Sequence, residues 1–190
     1  MSEVAHLFFS DEEYAVVDAA CARLIPTDED PGAAEAGVAD YIDGLLGAFA
    51  TDPPRIWAGG PFSGRHGGDN GFAHFLTLGP LDELAWRTRI EGSLGLPERE
   101  FNGPVVGLQA RYRAGITALG LDFAAVDEGE QDERLRTHPE FTELLYEHAC
   151  EGMYGAPEYG GNRELAGWRY IGYEGDVQPR GFTDDEVSLP

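Results

Sequence analysis

The 190-residue chain is 42% hydrophobic, carries a formal net charge of −22 with a pI near 4.3, and contains no lysine, so every basic side chain is arginine. That size suits one domain with its own core, while arginines scattered among 35 carboxylates argue against nucleic acid, which needs clustered cations facing phosphates, and against anionic lipid. No stretch approaches the roughly 20 apolar residues of a membrane-spanning helix, and so much like charge predicts a fold that dissolved salt stabilises, as in a protein adapted to a salty cell interior.

The opening Met1-Ser2-Glu3-Val4-Ala5-His6 has no basic n-region, twin arginine or apolar run, so the expected location is cytoplasmic unless a partner carries the chain out already folded. Ser10 followed by Glu13 is a capping box, with Phe9 and Tyr14 placed as a hydrophobic staple. Tyr14, Val17, Cys21 and Leu24 recur at helical spacing until Pro26, which predicts a helix over 11–25. Asp30-Pro31 reads as the start of a second helix with the stripe Val38, Tyr41, Ile42, Leu45, Leu46 and Phe49, stopped at Asp52-Pro53-Pro54. From 55 to 79 glycine, proline and aromatics predict a long loop, a candidate binding surface because loops of that length are usually functional. Helical patterns follow at 80–94, at 104–119 on Val105, Leu108, Tyr112, Ile116 and Leu119, at 128–136 as a charged surface helix, and at 139–152 on Phe141, Leu144, Leu145 and His148. No segment sustains period-two alternation, so the expected class is all-α. The predicted organisation is a helical domain over 1–152, including the loop, and a C-terminal arm over 153–190.

Catalytic patterns are scarce. A phosphate loop needs a lysine the chain lacks, and the glycines between Gly59 and Gly71 have neither the spacing nor the strand of a dinucleotide fingerprint. Ser63 lies outside any Gly-x-Ser-x-Gly elbow. His66, Asp69 and His74 are the material for a metal site, and a free-standing metal-dependent enzyme using His66, His74 and nearby carboxylates is the rival reading, beside an unrelated soluble scaffold. Cys21 and Cys150 have no metal-ligand spacing and read as small buried hydrophobes, with a disulfide as the alternative. His148 reads as a hydrogen-bonded core residue.

The last third alternates aromatics with turn residues. Gly160-Gly161 permits a sharp reversal, and Asn162 is placed to cap a short helix from Arg163. As a set, Tyr154, Tyr159, Trp168, Tyr170 and Tyr173 exceed what a tail is expected to hide against its own domain, and aromatics are enriched in interface cores. The partner-binding residues expected here are Tyr154, Pro157, Tyr159, Gly160, Gly161, Asn162, Trp168, Tyr170 and Tyr173.

Two blocks resemble the gluconate 2-dehydrogenase subunit 3 family. One is Arg23-Leu24-Ile25-Pro26 with Asp30-Pro31-Gly32-Ala33, Glu35-Ala36-Gly37-Val38 and Tyr41-Ile42-Asp43; the other is Pro157-Glu158-Tyr159-Gly160-Gly161-Asn162 with Gly167-Trp168 and Ile171-Gly172. The resemblance implies a small subunit without catalysis or cofactor of its own. Its partner is a large flavoprotein of the glucose-methanol-choline oxidoreductase type that holds FAD and oxidises a sugar or alcohol, and electrons in such complexes often pass to a cytochrome c subunit. Members that aid export carry a twin-arginine signal; this sequence departs from them there, which makes stabilisation and assembly the expected task.

Overall fold

Local sequence dictates the first helix. In the structure, a computed structural model that describes residues 6–56 and 78–173, helix α1 runs Asp11–Leu24. Ser10 Oγ accepts from the Glu13 N–H at 3.2 Å and Glu13 Oε2 accepts from the Ser10 N–H at 2.9 Å, which completes the predicted box. Phe9 is buried beside Tyr112, whereas Tyr14 stacks on His6, with ring centroids 4.1 Å apart. Acidic residues in the first turn and Arg23 in the last complement the helix dipole.

The second helix starts later than Asp30-Pro31 predicts: α2 spans Val38–Leu46. Residues 33–37 form turns; the Ala33 N–H donates to Ile25 O at 2.9 Å, and Glu35 Oε2 accepts from both Thr27 Oγ1 and the Gly32 N–H. Gly37 then adopts φ +70°, which interrupts any helical run through it. Burial of Ala33 and Ala36 and these backbone bonds outweigh the local preference of a proline-initiated helix.

Helices α3 (Pro80–Glu91), α4 (Leu108–Leu119), α5 (Glu128–Thr137), α6 (Pro139–Tyr154) and α7 (Ala166–Ile171) complete the set, with short 3-10 turns between them. The pattern that predicted α4 from 104 fails at its first residues: Val105 is tied to Ser93, whose N–H donates to Val105 O at 2.9 Å and whose Oγ accepts from the Val105 N–H at 2.7 Å. Helix α5 is less superficial than its charge suggests, because Leu135 and Gln131 are buried and Gln131 Nε2 donates to Phe123 O at 2.9 Å. Arg23 fastens α1 to α5 through a two-pronged pair with Asp132 at 2.9 and 3.0 Å.

The core lies where α1, α2, α4 and α6 converge, around Val17, Ile42, Leu46, Tyr112, Ile116 and Leu145. The fold is all-α, with no strand among the described residues. Cys21 is buried in this core as a free thiol, its pKa raised by burial, and Cys150 is free and half-buried. His148 is buried with Nδ1 2.8 Å from the Tyr112 hydroxyl, and burial lowers its pKa.

Candidate functional site

The polypeptide reverses after α6 and lays residues 155–173 back on α2 and α6. Asn162 is fully buried and pins the return: its Nδ2 donates to Gly155 O at 2.8 Å and its Oδ1 accepts from the Gly167 N–H at 2.9 Å. It therefore caps α7 from a distance rather than the turn it immediately precedes. Gly161 and Gly167 serve close approach, since a Cβ on either would overlap the α6 carbonyls of Gly152 and Met153. Trp168, 4% exposed, donates from Nε1 to Tyr154 O at 2.7 Å.

This return joins the two sequence blocks singled out above. The Arg163 N–H donates to Ala36 O at 3.0 Å, and its guanidinium pairs with Asp40, which also accepts from the Tyr14 hydroxyl at 2.7 Å. Asp43, buried in α2, holds the segment before α1: its carboxylate accepts from the N–H groups of Leu7, Phe8 and Phe9 at 2.7, 3.0 and 2.9 Å. Residues from opposite ends of the sequence thus form one structural unit around α2.

A cleft of about 750 Å³ opens along that unit. Its walls include Tyr41, Ile56, Trp86, Tyr154 and Tyr159, with Asp40 and Glu151 among its polar groups. Tyr41 donates to Glu151 Oε2 at 2.7 Å, and burial, then that carboxylate, raise its pKa; burial, then Glu158, push Tyr159 up to about 12. Both phenols are therefore protonated at neutral pH, and the cleft offers aromatic area and carboxylates rather than a phenolate base.

The sequence model for gluconate 2-dehydrogenase subunit 3 matches residues 11–175, a span that holds both blocks and nearly all of the described fold. The chain belongs to that family. Comparisons with curated proteins and with solved structures found no match. The family is that of an accessory subunit of a dehydrogenase complex.

The predicted partner-binding residues divide by position. Gly161, Asn162 and Trp168 are buried inside this chain, so they hold the return in place, contrary to an arm whose whole aromatic set faces outward. Tyr154 and Tyr159 are half-buried at the cleft, Pro157 is half-buried, and Gly160 is exposed. Tyr170 and Tyr173 face solvent at 59% and 43% exposure, joined by Ile171 and by Tyr146, which the sequence reading passed over. Tyr41 was visible there as a member of the second-helix stripe and Asp43 only within the block Tyr41-Ile42-Asp43; a carboxylate beside apolar helix positions was the available signal for Asp43. Ser63, His66, Asp69 and His74, with most of the 55–79 loop, lie outside the described residues, as does the tail beyond 173. Among the described residues no cluster of His, Cys, Asp and Glu is arranged to hold a metal, and no helix is long and apolar enough to cross a membrane.

Proposed function

We propose that this chain is a non-catalytic small subunit that binds, stabilises and helps mature a FAD-dependent sugar or alcohol dehydrogenase of the glucose-methanol-choline type. The flavin resides in that large subunit, and a cytochrome c subunit takes its electrons. The family match, extending across both sequence blocks and the unit they build, is the observation that carries this reading.

The physical means is association. Tyr170, Tyr173, Tyr146 and Ile171 are exposed on and beside the C-terminal return, and exposed aromatic and aliphatic groups in proximity are what interface cores use. A subunit that binds only the folded large chain stabilises it by mass action, by about 2.7 kcal/mol at a hundredfold excess over Kd. Co-expression with the large subunit, followed by size-exclusion chromatography read at the flavin wavelength, tests the reading. A single peak holding both chains and flavin is expected; elution of this chain apart from a fully loaded, active flavoprotein would reject it.

A further inference from the structure

The connection between α3 and α4 spans residues 92–107. It exposes Leu94, Phe101 and Val106 at 70%, 94% and 71%, and Val105 at 42%. The loop is nevertheless braced. Arg99 Nη1 donates to Glu91 Oε2 at 2.9 Å and to Gly92 O at 3.1 Å, and the Ser93 bonds to Val105 close the loop at its base. A braced backbone is already ordered before any partner arrives, which lowers the entropy lost on binding.

Val105 and Val106 also form one side of a groove of about 420 Å³ between α3, α4 and α6, with Leu108 and Leu144 on its floor and Arg89 and Arg111 lining it. Those arginines are unusual for this molecule. Most arginines of the described residues hold a carboxylate; Arg89 and Arg111 form no ion pair within 4.0 Å among the described residues, although the chain is charged −22 overall. Arg89 lies over the Trp86 ring at 5.2 Å from the centroid, and Glu147 is the one acidic side chain among the residues lining the groove. A local excess of guanidinium beside exposed apolar side chains is complementary to a carboxylate flanked by apolar residues, and arginine pairs with carboxylates through a planar fork. Two copies of a chain charged −22 repel one another, which disfavours self-association and favours a partner of another sequence as the occupant.

We propose that the α3–α4–α6 groove and its braced loop dock an apolar segment of the large subunit that carries an aspartate or glutamate, with Arg89 and Arg111 receiving the carboxylate and Phe101 and Val106 covering its flanks. This rests on the accessory-subunit reading and adds to it a second contact, on a different face of α6 from Tyr146. The experiment measures affinity of the folded chain for purified large subunit by biolayer interferometry. Arg89→Glu with Arg111→Glu should weaken binding at least about tenfold, the scale of a close interfacial charge pair, while Arg89→Lys with Arg111→Lys should lose less. Phe101→Ser with Val106→Ser should also weaken it, and both side chains are exposed enough that their loss leaves the core intact. Arg136→Glu, exposed on α5, is the control.

Unchanged affinity in the groove and loop variants, with the wild type binding, overturns this inference and leaves the accessory-subunit reading standing. No binding by the wild type overturns both. A dimer of this chain alone, seen by sedimentation and abolished by the same substitutions, would assign the groove to a second copy and overturn the inference too.

Discussion

Asn162→Ala should unfasten the C-terminal return. The side chain closes two bonds at once, and its removal leaves the Gly155 carbonyl and the buried Gly167 N–H without the partner each now has. A buried polar group deprived of its bond costs about 1–3 kcal/mol. Alanine at φ +47°, where Asn162 sits, adds roughly 1 kcal/mol, because a Cβ crowds the carbonyl in the left-handed region. The sum is about 3–7 kcal/mol, a large part of the 5–15 kcal/mol typical of a folded domain. In urea, with a slope of about 1–3 kcal/mol/M, the midpoint should fall by at least about 1 M. Asn162→Gly separates the causes: it keeps the backbone unstrained and should recover roughly 1 kcal/mol relative to alanine. Unfolding free energies of both variants within about 0.5 kcal/mol of the wild type would show that Asn162 does not fasten the return.

Asp43→Asn removes the charge from an acceptor of three backbone N–H groups and leaves one carbonyl oxygen where two oxygens served; we expect about 2–4 kcal/mol of lost stability and faster proteolysis at 6–9, and unchanged cleavage there would contradict the latch. Burial lowers the His148 pKa, so the folded state binds fewer protons than the unfolded one. Its contribution is fully present above the unfolded value of 6.5 and is lost as pH falls through that value toward the folded one. The wild-type urea midpoint should therefore decline between pH 7.5 and 5.5 more steeply than that of His148→Gln; equal slopes would refute the assignment. At a net charge of −22, melting temperature should rise from low to molar salt, and a flat or falling trend would remove the expected benefit of screening.

Much of this fold was legible because its signals are local. The Ser10 box and the apolar spacing of α1 and α6 each need only a turn or two of sequence. The late start of α2 was not legible, because it depends on Ala33 and Ala36 being drawn into the core and on a bond from Arg163, far along the chain. The same holds for the C-terminal return. Its glycines and aromatics are visible as a cluster, but Gly161 and Gly167 reveal their purpose only when set against the α6 backbone. That contact turns Trp168 inward and leaves Tyr170 and Tyr173 outward, a division that composition alone does not make. Arg89 and Arg111 are legible only by exclusion, once the ion pairs of the other arginines are known.

The most direct measurement of the central claim is flavin retention by the isolated large subunit during slow heating, followed by fluorescence of released FAD, as this chain is titrated in. If the chain is an accessory subunit, the release temperature climbs with its concentration and saturates at a fixed stoichiometry. A release temperature that stays constant up to a large excess, with the flavoprotein fully active throughout, would contradict the account.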